Sequence, residues 1–279
     1  IGLATEGFPA SRELSQSLTR LVDVLLPQES ATPLYANGTA PKPGGAIRRP
    51  NLAQTLRGIA AEGRSAFYEG EVGAMICAAT DGTIHPDDLA RSQADWIEPI
   101  SIEVMGHRAW TIPPNSQGYL TLAAAWLFEQ LDPPREAIDP VFTHAAIEAY
   151  RAVAWERDLY VADPEHSPAD PLWLLDPERL AQKLPHIDMR SRAEWPASQP
   201  APGGTAYLCV RDAAGMGVSL IQSNYHGIGS TLGAGSAGFF LHDRGSGFCL
   251  SPGHPNELAP GKRPLHTLSP TLWTRNGSL

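Results

Sequence analysis

Gly203-Gly204-Thr205 stands where a loop rich in proline and glycine gives way to an alternating stretch. A threonine hydroxyl is a poor nucleophile unless a nearby base takes its proton. If the bond between Gly204 and Thr205 were cut, Thr205 would carry a free α-amine with a pKa of about 8 beside its own hydroxyl, and that amine is a base. Gly204 has no Cβ, so its backbone is free to take up the strained conformations in which the Thr205 hydroxyl attacks the preceding carbonyl. The pattern fits self-cleavage that releases an N-terminal nucleophile. It also fits a loop that merely ends at a strand.

Two alternating stretches follow, Thr205 to Arg211 and Val218 to Ser223, around the loop "DAAGM". With Arg211 opposite Gly217, Thr205 falls opposite Ser223. Side chains directly opposed on one face lie about 4.5–5.5 Å apart at Cβ, so the two hydroxyls meet. A slip of one residue sends one of them to the other face. The alternation also gives Ala206, Leu208 and Val210 one face, with Val218 and Leu220 available to the same core.

The elements that must carry this pair are mostly helical on the N-terminal side. Leu14, Leu18, Leu21, Val22 and Leu25 form one apolar stripe of a helix that Pro27 ends. Asn51 is the expected N-cap of a helix carrying Leu52, Leu56 and Ile59, with Gly63 as its stop. "SIEVMGHRAWTI" alternates around Gly106 as a hairpin, "PPNSQG" is a loop opening a helix from Tyr119 to about Leu131, and another long helix spans roughly His144 to Asp158. "SRAEWPASQPAPGG" then reads as an exposed, flexible connection, and strands follow it.

Composition bounds the function classes. The 279 residues are 42% hydrophobic, enough for one large or two modest domains with a core. A formal net charge of −9 argues against binding a phosphate backbone, and no apolar stretch approaches the roughly 20 residues of a membrane-spanning helix. Cys77, Cys209 and Cys249 lack the short paired spacing of zinc or redox motifs and read as free thiols, which favours the cytoplasm and leaves export open. His107, His144 and His166 form no ligand-spaced cluster, so neither a metal nor an organic cofactor is expected. Asp158 and Asp163 read as capping or turn residues before they read as a carboxylate pair, and Ser116 as a helix cap before a nucleophile. Trp96, Trp110, Trp126, Trp155 and Trp173 read as core or interface.

"GGTAYLCVRDAAGMGVSLIQSNYHGIGS" and "AGFFLHDRGSGFCLSPGHPNELAPGKRPLHTLSPTL" resemble the start of the small subunit in the γ-glutamyltransferase (γ-glutamyltranspeptidase) family of N-terminal-nucleophile hydrolases. "EGFPASRELSQSL", "WTIPPNSQGYLTLAAAWLFEQLD" and "AWERDLYVADPEH" resemble that family's large subunit, so the similarity runs along essentially the whole chain. The resemblance implies an α+β fold, the four-layer αββα sandwich, here incomplete. Residues 1–204 would be the C-terminal part of the large subunit and 205–279 the N-terminal part of the small one. It implies cleavage between Gly204 and Thr205, with Thr205 as nucleophile and Ser223 as the hydroxyl that hydrogen-bonds it. His266 and Thr267 stand where typical members have two serines that contact the substrate carboxylate. Tyr225 and His226 would line the acyl pocket.

Departures bear on the substrate. Gly247 stands where typical members carry the acidic residue that binds the substrate α-amine, and Arg244 where they carry glutamine. Losing a carboxylate and gaining a guanidinium shifts the preferred acyl group, because Arg favours carboxylates and leaves an ammonium unpaired. "IQSNYHGIGS" and "HDRGSGF" are closer to the branch of oxamate amidohydrolase and related acylases. The resemblance further implies an oxyanion segment after Leu279 and a substrate-clamping arginine before Ile1. The partner expected is a small-molecule amide, either a γ-glutamyl compound or a related acyl amide, with the two subunits of one precursor as each other's partners. No nucleic acid and no membrane span enter. An unprocessed homologue acting only as a scaffold is the alternative of another class.

Overall fold

The apolar stripe from Leu14 to Leu25 is carried by two short helices, Arg12–Arg20 and Val22–Leu25, in the structure, a computed structural model that describes residues 1–91, 94–197 and 205–279. The helical path breaks at Leu21, yet Leu18 and Leu25 are fully buried, so the stripe survives the break. They pack with Ala31, Leu34, Tyr35 and Ile47. The next helix, Pro50–Glu62, starts two residues earlier than expected. Arg49 is its N-cap, with Pro50 at the first helical position, where a missing N–H costs nothing, and Asn51 lies inside the helix. Gly63 ends it as expected.

These elements belong to one compact unit, Ile1–Asp95 with Asn224–Asp243. Its late segment is held by side chains from its early one. Gln28 bonds Gly233 N–H and the Thr231 carbonyl, Ser30 the Gly235 carbonyl, Thr55 the Ala237 carbonyl and Arg49 the Gly238 carbonyl. Gly238 has φ 78°, and a Cβ there would lie 2.6 Å from Leu52 N, so the turn demands glycine.

The second unit comprises Trp96–Ser223 and Arg244–Leu279. Its hairpin, Ile100–Val104 with His107–Thr111, turns through Met105 and Gly106, and Thr271–Thr274 pairs antiparallel to the inner edge of His107–Thr111. The helix Gly118–Gln130 lies on this sheet, burying Tyr119, Leu120, Leu122, Ala123 and Leu127 with Ile100, Ile102 and Val104. A Cβ at Gly118 would meet Thr111 Oγ1 at 2.0 Å, which is why the helix begins on a glycine. The long helix runs Pro140–Ala154 rather than 144–158, because Asp139 caps Val141 N–H and Pro140 takes the first position. A separate turn, Arg157–Tyr160, follows.

The connection after residue 190 is exposed at most of its described residues, 191–197, and is anchored at Ala193, whose N–H donates to Glu148 and whose carbonyl accepts from Arg151, while Trp195 packs on the core; its remainder lies outside the described residues. The structure departs from expectation at three places in this unit. The paired strands Thr205–Arg211 and Gly217–Ser223 cover no core of their own: Leu208 and Val210 are more than half exposed. Trp96 is wholly exposed. Ser116, expected as a cap, instead donates its hydroxyl to the Leu268 carbonyl, and Gln117 is the N-cap. Among the described residues no helix is long and apolar enough to cross a membrane.

Candidate active site

Thr205 pairs with Ser223 across the ribbon, and the ladder continues through Leu208–Leu220 to Arg211–Gly217. This is the register deduced from the five-residue loop, which is closed by Asp212 Oδ1 accepting Met216 N–H at 2.9 Å. Thr205 and Ser223 therefore share a face at the open end of the hairpin. Gly204 and the expected cleavage site lie outside the described residues.

Arg263 to Leu268 is irregular chain, yet most of its backbone groups have a partner. Asp163 accepts Arg263 N–H at 2.7 Å, and Asn115 Nδ2 donates to the Pro264 carbonyl at 2.6 Å. Leu265 N–H donates to Asn256 Oδ1 at 3.2 Å, and the Leu265 carbonyl accepts from Arg244 Nη1 at 2.8 Å. His266 N–H donates to the Asn115 carbonyl at 2.7 Å, and Gln117 N–H returns to the His266 carbonyl at 3.0 Å. The Leu265 side chain is buried in the core. The backbone carrying His266 and Thr267 is thus fixed at both ends and in the middle, and both side chains are half-buried.

Arg244, expected to meet the acyl group, is only 6% exposed, and its guanidinium supports Leu265. Gly247 lies against the same residue: a Cβ there would sit 2.9 Å from the Leu265 carbonyl oxygen. No side chain fits at 247 without displacing the segment. Asp163 is buried, and burial works to raise its carboxyl. The N–H groups of Arg263 and Glu165 and the neighbouring His166 outweigh this and hold it below its ordinary 3.8.

Tyr225 and His226 belong to the first unit. His226 Nδ1 lies 2.6 Å from Asp243 Oδ2, and His226 N–H donates to Asp243 Oδ1 at 3.0 Å. The carboxylate fixes the ring with Nδ1–H as donor and leaves Nε2 as acceptor in the neutral form. Tyr225, at φ 76°, sets its ring centroid 4.0 Å from that of the imidazole, tilted at 53°. Burial works to raise the Asp243 carboxyl, but the bonds from His226 leave it below 3.8. Among the described residues no group of three or more His, Cys, Asp or Glu could hold a metal ion.

The family model for gamma-glutamyltranspeptidase matches residues 1–279. The chain belongs to the gamma-glutamyltranspeptidase family. It is 34% identical over 275 residues to the oxamate amidohydrolase proenzyme of Klebsiella pneumoniae, covering 97% of this chain and 52% of that protein. It is 32% identical over 282 residues to the glutathione hydrolase-like YwrD proenzyme of Bacillus subtilis, covering 98% and 53%. Cephalosporin acylase from Bacillus halodurans superposes with a TM-score of 0.84 at 32% identity, over 99% of this chain and 52% of that one. The chain spans about half the length of the curated relatives it matches. The fold is that of the gamma-glutamyltranspeptidase and acylase N-terminal-nucleophile proteins.

Within a gamma-glutamyltranspeptidase family chain, the second unit brings together Thr205 with Ser223 in one ladder, and Arg244 with the segment of His266 and Thr267 in one braced loop. Sequence reasoning missed Asn115 and Asn256, which carry that loop. Asp163-Pro164 signalled a turn, and Asp163 Oδ1 does accept Glu165 N–H at 3.0 Å; its reach to Arg263, a hundred residues on, left no local trace.

Proposed function

We propose that the complete protein is a self-cleaving amidohydrolase or acyltransferase that uses Thr205 as an N-terminal nucleophile. The observation that carries this is the pairing of Thr205 with Ser223 in a family whose members similar to this chain include proenzymes. The Thr205 hydroxyl adds to the Gly204 carbonyl, the C–N bond breaks as the amine takes the proton, and water hydrolyses the ester to free both ends. The liberated α-amine then takes the hydroxyl proton as Thr205 attacks a substrate amide. The leaving amine departs with a proton, and water or an acceptor amine resolves the acyl ester. Ser223 orients the attacking oxygen.

Residues 1–204 and 205–279 then belong to a large and a small subunit that stay associated. Thr271–Thr274 remains paired to His107–Thr111, and Gln28, Ser30 and Thr55 keep their bonds to 231–237. His266 and Thr267 receive the substrate carboxylate, Arg244 supports them through Leu265, and Tyr225 with His226 contributes to the acyl pocket.

The acyl donor is either a γ-glutamyl compound or an acyl amide without an α-amine, of the oxamate or glutaryl kind. The closeness of Gly247 to Leu265 favours the second, since no carboxylate can stand at 247 to pair an ammonium. N-terminal sequencing of the product of the complete reading frame tests the chemistry: a new terminus at Thr205, absent in Thr205→Ala, is expected. An intact chain in both refutes it and favours a scaffold. Turnover of glutaryl-p-nitroanilide against γ-glutamyl-p-nitroanilide separates the two donors.

A further inference from the structure

The segment expected to receive the substrate carboxylate is irregular chain, and it begins at Arg263. Its first N–H does not bond within the segment. It donates at 2.7 Å to Oδ2 of Asp163, an accepting carboxylate that is 7% exposed and lies a hundred residues earlier, just beyond the turn Arg157–Tyr160. The other oxygen, Oδ1, accepts Glu165 N–H at 3.0 Å and faces His166 Nδ1 at 3.7 Å, so the carboxylate itself is fixed by its own local turn. Two residues before it, the Val161 carbonyl accepts Asn256 Nδ2 at 2.6 Å, and the same Asn256 presents Oδ1 to Leu265 N–H. Val161 to Asp163 therefore grips Arg263 directly and Leu265 through one intermediary, on the two alternate residues that flank Pro264.

We infer that Asp163 is a positioning residue for the acyl-carboxylate site, setting where the backbone of Arg263 to Thr267 presents His266 and Thr267 to the substrate. The inference rests on the assignment of His266 and Thr267 to the substrate carboxylate made above. A charge-assisted bond from a backbone amide to a buried carboxylate is among the stronger ones a backbone can make. Releasing it frees the entry to the segment while leaving the Leu265 and His266 anchors in place. The consequence belongs to binding of a carboxylate and not to the Thr205 nucleophile.

The discriminating variant is Asp163→Ser. A serine hydroxyl still accepts the N–H two residues on, keeping the Glu165 turn, but is too short to reach Arg263. Asp163→Asn, which retains size and one acceptor, is the second variant should the first fail to fold, and Asp158→Ser on the neighbouring turn is the control. In the complete protein, glutarate binding measured by calorimetry is expected to weaken on the order of ten-fold in Asp163→Ser. KM for glutaryl-p-nitroanilide rises similarly, kcat changes little, and turnover of butyryl-p-nitroanilide, which lacks the carboxylate, is unchanged. An unaltered glutarate affinity overturns the proposal, as does an equal loss on both substrates or a parent protein that does not bind glutarate. Failure to cleave before Thr205 strikes the nucleophile assignment alone, because glutarate binding needs no working nucleophile.

Discussion

The ribbon that carries Thr205 and the segment that carries His266 are both short stretches of the second unit, and they are positioned by opposite means. The ribbon places its hydroxyls through pairing: fixing Arg211 opposite Gly217 decides every other pair up to Thr205 and Ser223. The segment makes no ladder of its own beyond a single bridge to Ser116, and is held by Asp163, Asn115, Asn256 and Arg244 from four places in the chain. Register is a local property with a period of two, and small errors in it are all-or-none. A loop on many anchors fails by degrees, one anchor at a time.

The largest effects are therefore expected on the ribbon. Thr205→Ala should leave one uncut chain and lower amide turnover by roughly 10⁴-fold or more, read by mass spectrometry and by release of p-nitroaniline. Deleting Gln222 alone keeps every catalytic side chain but moves Ser223 to the opposite face. Cleavage slower by about 10²-fold is expected, on the scale of a lost proton-transfer partner. Cleavage at the parent rate would mean that the cross-strand pair is not what orients Thr205.

On the braced segment, graded losses are expected. Gly247→Asp restores an acidic side chain, but its Cβ meets the Leu265 carbonyl at 2.9 Å. It should destabilise the protein by about 1–3 kcal/mol and raise KM for glutaryl amides without creating preference for γ-glutamyl ones. Gain of γ-glutamyl turnover would show that the segment yields and that Gly247 alone selects the acyl group. Asn256→Ala removes the bonds to Val161 and Leu265 together and leaves buried groups unpaired, at about 1–3 kcal/mol in chemical denaturation. Cleavage before Thr205 should be unaffected by it.

The same contrast decides what could be read in advance. The pairing of Thr205 with Ser223 followed from counting residues across Asp212–Met216, because a hairpin's geometry lies within its own sequence. The hairpin at Gly106 and the helix after Gln117 were legible for the same reason. What stayed hidden depends on distant partners. Leu208 and Leu220 alternate as core residues do, but alternation says nothing about whether another layer covers the face. Arg244 was visible in the sequence as a charge, while its burial against the Leu265 carbonyl was not. Asn115 and Asn256 are ordinary loop residues in sequence; they matter for what they touch more than 90 residues away, at Pro264 and at Val161.

The smallest effect is one of pH, and it touches the segment alone. Burial works to raise the Asp163 carboxyl, but the Arg263 and Glu165 amides with His166 hold it below its ordinary 3.8. A carboxyl whose folded value lies below its unfolded one binds fewer protons in the folded state. Its contribution to stability is complete above the ordinary value and disappears as pH falls through the lowered one. Scanning calorimetry of the parent and Asp163→Ser should give Tm curves separated at about pH 5, where the carboxylate is ionised in either state, by a gap that closes below 3.8. The ribbon pairs two hydroxyls, which do not titrate there, so Ser223→Ala should shift Tm by the same amount across the whole range. A gap for Asp163→Ser that stays constant into acid would mean that the bond to Arg263 is held as firmly by a protonated carboxyl. The segment would then owe its position to Asn115, Asn256 and Arg244 alone.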